Sequence, residues 1–117
     1  MDRIVRAFPI LEGQEEVTRA FARALQTERT AEAADFYQRF GVVRETWHLQ
    51  ETPNGLWLIG VTEFLHREAE EAAAEYSRSA VSFDQWFKSQ VRRISGIDPD
   101  TQPLGPPTEC IFDTREI

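Results

Sequence analysis

Cysteine, histidine and methionine are scarce in this chain. Its 117 residues include one Cys, two His and one Met. A single Cys excludes an internal disulfide and a thiolate zinc site, because both need more than one thiol. His48 and His66 lack the close acidic neighbours of a metal site, so we expect no metal and no cofactor. No apolar run approaches the ~18 residues of a membrane-spanning helix.

Positive charge is also in short supply. Thirteen Lys and Arg stand against twenty Asp and Glu, which gives a net charge of −7 at pH 7. This deficit disfavours nucleic acids and anionic membranes as partners. RNA-recognition domains share the strand order predicted below, but residues 56–62 contain no basic side chain. We therefore expect a cytoplasmic protein without a signal peptide, a nucleic-acid partner or a membrane partner.

The hydrophobic pattern predicts one domain over residues 1–117, with a Pro-rich arm at 97–109. The predicted elements are a strand over 3–11, a helix broken near 27–30, strands over 43–51 and 56–64, a second broken helix over 68–95, and a strand over 110–117. This β-α-β-β-α-β order is typical of an α+β, ferredoxin-like sandwich, with one antiparallel sheet and both helices on the same face. Dimerisation would cover the other face, and the alternative is a monomer whose sheet is partly solvated.

The two central strands form a predicted hairpin. A three-residue turn over 53–55 places Thr52 opposite Leu56. One face of the hairpin is then apolar and holds Trp47, Leu49, Trp57, Ile59 and Val61. The other face holds Thr46, His48, Gln50, Gly60 and Thr62, with Leu58 and Phe64. A two-residue Asn54-Gly55 turn is the alternative, and it mixes the two faces because a one-residue slip inverts a strand.

From 44–49 (RETWHL) through the hairpin to 83–87 (FDQWF), the chain resembles an uncharacterised bacterial family of the dimeric α+β-barrel group. That group is related in fold to antibiotic-biosynthesis monooxygenase-like proteins. The resemblance implies a homodimer and a cleft between sheet and helices that takes a small apolar molecule. It supplies no catalytic motif, and the Pro-rich arm is longer than the fold needs. Such an arm would either reach over a partner subunit or cover a cleft.

Three side chains are candidates for acid–base catalysis. In the predicted register Glu45 lies opposite Glu63, and two carboxylates ~5 Å apart repel by roughly 3 kcal/mol, which would let one keep its proton near neutral pH. The alternative is that both are solvated or paired with arginines. His48 lies mid-strand on the polar face and is a candidate for proton transfer or ligand recognition. Its alternative role is a hydrogen-bonded residue at the dimer interface, where we expect this face to lie.

Aromatic side chains at strand and helix periods are the candidate ligand-binding residues: Trp47, Trp57, Phe83, Trp86 and Phe87. Aromatic residues at these periods are more often ordinary core, and that is the alternative role. Two functions therefore stay open. The first is a homodimer that binds a small, mainly apolar molecule. The second is a cofactor-independent monooxygenase-like or isomerase-like enzyme that uses His48 or the Glu45/Glu63 pair, so the sequence leaves open whether the protein is an enzyme.

Overall fold

The chain folds as an α+β structure in the computed structural model, which describes residues 2–103, 105–106 and 108–116. Three antiparallel strands form one sheet with the order β1-β3-β2. The elements in chain order are β1 (Asp2–Pro9), α1 (Glu15–Gln26), α2 (Thr30–Arg39), β2 (Val42–Thr52), β3 (Gly55–Phe64), α3 (Ala69–Arg78), α4 (Ser82–Ser95) and a final 3-10 turn (Thr114–Glu116). The predicted α+β class and the break in each helical segment are confirmed.

Each helix presents an apolar stripe to the sheet. In α4, Phe83, Phe87 and Ile94 are buried and recur at helical spacing. Gly96 ends α4 with φ +75°, a left-handed conformation that glycine adopts without strain, and its N–H donates to the Arg92 carbonyl. The four helices thus all contribute buried residues to one core.

That core lies against one face of the sheet, which we call the inner face. Because side chains alternate along a strand, the inner face takes Ile4 and Phe8 from β1, Trp47 and Leu49 from β2, and the even-numbered positions of β3. Leu58 and Phe64 are its buried β3 residues. The outer face carries the intervening positions: Arg3, Val5, Ala7, Pro9, Arg44, Thr46, His48, Gln50, Trp57, Ile59, Val61 and Glu63.

The hairpin register differs from the prediction by one residue. Thr52 lies opposite Gly55, so the connection is the two-residue turn Pro53-Asn54. The Thr52 hydroxyl donates to the Gly55 carbonyl at 2.8 Å and accepts from the Asn54 N–H at 3.1 Å, which stabilises this tighter turn. The predicted division of the faces is therefore wrong for β3: Trp57, Ile59 and Val61 are outer, whereas Leu58, Gly60, Thr62 and Phe64 are inner.

The predicted strand over 110–117 is also wrong for its described residues. Residues 108–113 pair with no strand, and Thr114–Glu116 form a 3-10 turn; Ile117 lies outside the described residues. Asp113 explains this local structure, because its side chain and carbonyl accept from the backbone N–H groups of Arg115 and Glu116. One contact joins this segment to β1, where the Thr108 hydroxyl donates to the Val5 carbonyl.

Candidate ligand-binding site

A cavity of about 160 Å³ lies between the inner face and the helices. Its walls are mostly aliphatic and aromatic. The sheet contributes Ile4, Arg6, Phe8, Val42, Glu45, Trp47, Leu58, Gly60, Thr62 and Phe64, and the helices contribute Phe21, Phe36, Phe40, Ala72, Ala73, Tyr76, Phe87, Val91 and Ile94. An apolar cleft with a few polar groups is the usual form of a small-molecule site.

The aromatic walls are held in place by ring contacts. Phe36 stacks on Phe87 with ring centroids 4.6 Å apart, and Phe21 meets Trp47 edge-on at 5.0 Å. Tyr76 closes the same cluster from α3. Such ring pairs add roughly 0.5–1.5 kcal/mol each beyond simple burial, so they stabilise the arrangement of the walls.

Glu45 is the acidic side chain of the cavity, and neutral donors surround it. The Thr62 hydroxyl donates to its Oε1 at 2.6 Å, and the Trp47 indole N–H donates to its Oε2 at 3.0 Å. The Tyr37 hydroxyl also donates to Oε2. Burial, and then the charge of Glu45, raises the pKa of Tyr37 well above its ordinary value, which keeps this donor protonated.

Arg6 is the basic side chain of the cavity. It lies on the inner face of β1 between Ile4 and Phe8, with Gly60 opposite it on β3. Its Nη1 donates to the Val5 carbonyl at 3.2 Å. Its Nε is buried and has no hydrogen-bond partner within the described residues. Loss of solvation on burial lowers the pKa of the guanidinium.

The Pro-rich arm covers one side of the cavity, through Ile97, Gln102, Pro103 and Gly105. Ion pairs join the start of the arm to α4. The Lys88 ammonium, 1% exposed, contacts Asp100 at 2.9 Å, and Arg92 contacts Asp98 and Asp100. The described part of 97–109 thus borders the cavity, and its reach over a partner subunit stays a prediction.

The structure divides the candidate ligand-binding aromatics into three groups. Trp47 and Phe87 line the cavity. Phe83 and Trp86 pack beside it in the aromatic cluster. The Cζ atom of the Arg29 guanidinium also lies 4.0 Å from the ring centroid of Trp86. Trp57 lies on the outer face, away from the cavity.

The catalytic candidates are similarly separated. Glu45 lies opposite Thr62 and borders the cavity, whereas Glu63 lies opposite Arg44 on the outer face. The predicted juxtaposition of Glu45 and Glu63 is therefore wrong, because the register places their side chains on opposite faces. His48 is exposed on the outer face, with Nε2 3.1 Å from the Thr46 hydroxyl oxygen.

Arg6, Tyr37, Thr62 and Tyr76 are cavity-associated polar residues that our sequence analysis missed. The signal for Arg6 was available, since alternation along β1 places it on the same face as Ile4 and Phe8. Thr62 required the correct hairpin register. Tyr37 and Tyr76 lie on the apolar stripes of α2 and α3, where an aromatic ring is indistinguishable from core in a sequence.

Within the described residues, no helix packs over the outer face. Its β1 and β3 side chains Val5, Trp57, Ile59 and Val61 are absent from the cluster that packs against the helices, among the residues described. In the register, Val5 neighbours Val61, and Pro9 neighbours Trp57. The β2 side chains on the outer face are polar, so this face is half apolar and half polar.

Comparisons with protein-family models, with curated proteins and with solved structures find no match for this chain. In the part of the chain that the structure describes, no group of three or more His, Cys, Asp and Glu side chains is placed to hold a metal ion. Over the same residues, no helix has both the length and the apolar character needed to cross a membrane.

Proposed function

We propose that this protein binds a small, mainly apolar molecule in the cavity between its sheet and its helices. The observation that carries this proposal is a space of about 160 Å³ lined by aromatic and aliphatic side chains. An engineered cavity of roughly 150 Å³ in another protein binds benzene, so this volume suits one aromatic ring. Arg6 and Glu45 supply the few polar groups that would orient the ligand.

Cavity filling tests this proposal. The nearest atoms to a Cβ built on Gly60 belong to Leu58 and Trp47, at 4.0 Å, so Gly60→Val places its methyl groups at the cavity floor. Ala7→Val adds two methyl groups to the outer face and serves as the control. Isothermal titration calorimetry with benzene should show binding to the wild type and to Ala7→Val, and binding at least tenfold weaker to Gly60→Val. Equal affinity in all three proteins would contradict the proposed site.

Proton-transfer catalysis at Glu45 is the second candidate function. Glu45 is the one catalytic candidate that borders the cavity, whereas His48 and Glu63 lie on the outer face. In an isomerase-like reaction its carboxylate would take a proton from one carbon of the ligand and return it to another. Hydrogen–deuterium exchange into a bound ligand, lost in Glu45→Gln, would support this function. Exchange unchanged in Glu45→Gln would contradict it.

We also propose that the fold is a ferredoxin-like one without its last strand, that two copies pair through their outer faces as in a dimeric α+β barrel, and that the protein is cytoplasmic; the β1-β3-β2 order supports the ferredoxin-like fold. The outer face supports a second copy of the chain as its partner, because Val5, Ile59 and Val61 form an apolar centre. Charge supports it as well. The face carries Arg3 and Arg44 against Glu63, although the whole chain has a net charge of −7. Two copies would therefore meet where their acidic surfaces repel least.

A further inference from the structure

Arg6, which is half-buried, stands out among the charged side chains because it lines the apolar cavity and has no acidic partner among the described residues. The described part of the chain contains nine ion pairs, and Arg6 belongs to none of them. An arginine on the helix-covered face of a sheet gives up hydration, and an acidic neighbour usually compensates for that loss. Here the compensating group is absent from the described residues.

The hydrogen-bonding capacity of Arg6 is also largely unused. A guanidinium has five N–H donors in a planar fork. The described residues accept a bond from Nη1 alone, through the Val5 carbonyl, while the buried Nε has no acceptor. Burial lowers the pKa of the Arg6 guanidinium, but an arginine stays charged at neutral pH. The buried Nε is therefore a charged donor at the cavity that lacks an acceptor among the described residues, while Nη1 bonds at a solvent-exposed position.

Glu45 is not the hydrogen-bond acceptor that Arg6 lacks. Its oxygens already accept from Tyr37, Trp47 and Thr62, and no contact of 4 Å or less joins it to Arg6. A carboxylate has about four acceptor positions, so three neutral donors nearly saturate it. The cavity is consequently better prepared to receive an acceptor at Arg6 than a donor at Glu45.

We infer that the ligand is a small aromatic carboxylic acid whose ring packs among the aromatic walls and whose carboxylate pairs with Arg6. This inference rests on the proposed function, since it names the class of molecule that occupies the same cavity. A carboxylate matches the guanidinium fork with two parallel N–H···O bonds, and such charge-assisted bonds are roughly twice as strong as neutral ones. Phe21, Phe36 and Phe87 supply faces and edges for the ring.

Three probes of similar size and different charge test the inference: 3-phenylpropanoate, 3-phenylpropanamide and 3-phenylpropylamine. Each is titrated at pH 7 by calorimetry into the wild type, Arg6→Gln and Arg3→Gln. Arg3 lies on the same strand but on the outer face, so Arg3→Gln makes the same change in net charge away from the cavity. We expect the carboxylate to bind at least tenfold more tightly than the amide in the wild type and in Arg3→Gln. In Arg6→Gln that preference should disappear while the amide still binds.

The other outcomes separate this inference from the proposed function. Equal binding of carboxylate and amide to the wild type would overturn the role of Arg6 and leave the apolar cavity as the ligand site. Tightest binding of the amine would overturn it in favour of recognition by Glu45. Failure of all three probes would contradict the proposed function itself. If Arg6→Gln does not fold, as judged by circular dichroism, Arg6→Lys takes its place, and it should retain part of the preference because it keeps the charge but loses the planar fork.

Discussion

The two faces of the sheet in this protein have the same backbone but opposite environments. On the inner face, Leu58 and Phe64 are buried under four helices, and a cavity with Arg6 and Glu45 lies between the layers. On the outer face, His48 is exposed and Val5 retains 37% of its surface. The candidate ligand chemistry therefore belongs to one face, and the candidate self-association surface belongs to the other.

The comparison shows how much depends on a single residue of register. Leu58 and Ile59 are neighbours in the chain, yet one is core and the other belongs to the proposed interface. Glu45 and Glu63 would be near each other in the register we expected, but the structure places them on opposite faces. The two or three residues of the turn thus decide which side chains lie next to each other across a hairpin.

The largest effect expected from this comparison is on stability. Leu58→Ala should lower the free energy of unfolding by about 3 kcal/mol, because it removes buried methyl groups and enlarges a cavity. Ile59→Ala should cost about 1 kcal/mol, since its site in one chain is only partly buried. Urea denaturation at a protein concentration where the chain is monomeric measures both values. Equal losses would contradict the assigned faces.

A second prediction concerns the helices that cover only the inner face. The Asp84 carboxylate is 0% exposed, and Arg39 donates to it through Nη1 at 2.9 Å and Nη2 at 2.7 Å. Burial alone would raise the pKa of Asp84, but the hydrogen bonds from Arg39 and Ser79 outweigh burial and lower it. Asp84→Asn should therefore lower the free energy of unfolding by about 2 kcal/mol at pH 7.

This difference should depend on pH with a definite sign. A carboxylate whose pKa is lowered by folding stabilises the protein above its unfolded pKa of about 3.9, and loses that effect as the pH falls through the folded value. The difference between the wild type and Asp84→Asn should thus be constant at neutral pH and shrink below about pH 4. Asp35→Asn is the control, because Asp35 pairs with the same Arg39 from an exposed position. A loss as large in Asp35→Asn would refute the importance of burial at Asp84.

Substitutions on the outer face should change dimerisation more than they change the free energy of unfolding. Ile59→Lys places a charge in the centre of the proposed dimer interface and should weaken dimerisation at least tenfold, which light scattering across a concentration series measures. Val81→Lys changes an exposed apolar residue at the start of α4 and should leave the mass unchanged. A wild-type protein that has the mass of one chain at micromolar concentration would contradict the dimer.

The smallest effect is expected at Gly60. A Cβ there meets its nearest neighbours at 4.0 Å, and the backbone needs no left-handed conformation, so Gly60→Ala should stabilise the fold by about 0.5 kcal/mol. Gly55→Ala should instead destabilise it, because Gly55 has φ +117°. Midpoints of urea unfolding give both signs. Destabilisation in Gly60→Ala would indicate that the inner face is more tightly packed there than the cavity implies.

Much of the fold was predictable from local patterns. The break between α1 and α2 was visible in two helical stripes that do not align, and Gly96 marked the end of α4. The candidate site was predictable only in part. Trp47, Phe87 and Glu45 were among its predicted residues, but Trp57, Glu63 and His48 were assigned with them and lie on the outer face. The errors at Trp57 and Glu63 share one cause, which is that face assignment in β3 depends on the geometry of the turn, whereas His48 on β2 lies on the face opposite Trp47, as expected.

By itself, the sequence determined the α+β class, the approximate helix boundaries and the acidic charge, because each follows from local periodicity, the glycine that ends α4, or composition. Only the tertiary structure decided the hairpin register, the absence of a strand over 110–116, and the meeting of Arg6 and Glu45 at one cavity. The physical reason is the distance along the chain between residues that form hydrogen bonds with each other. A helix satisfies its hydrogen bonds within a few residues, whereas a sheet satisfies them between distant segments, and so its faces are settled only when those segments pair.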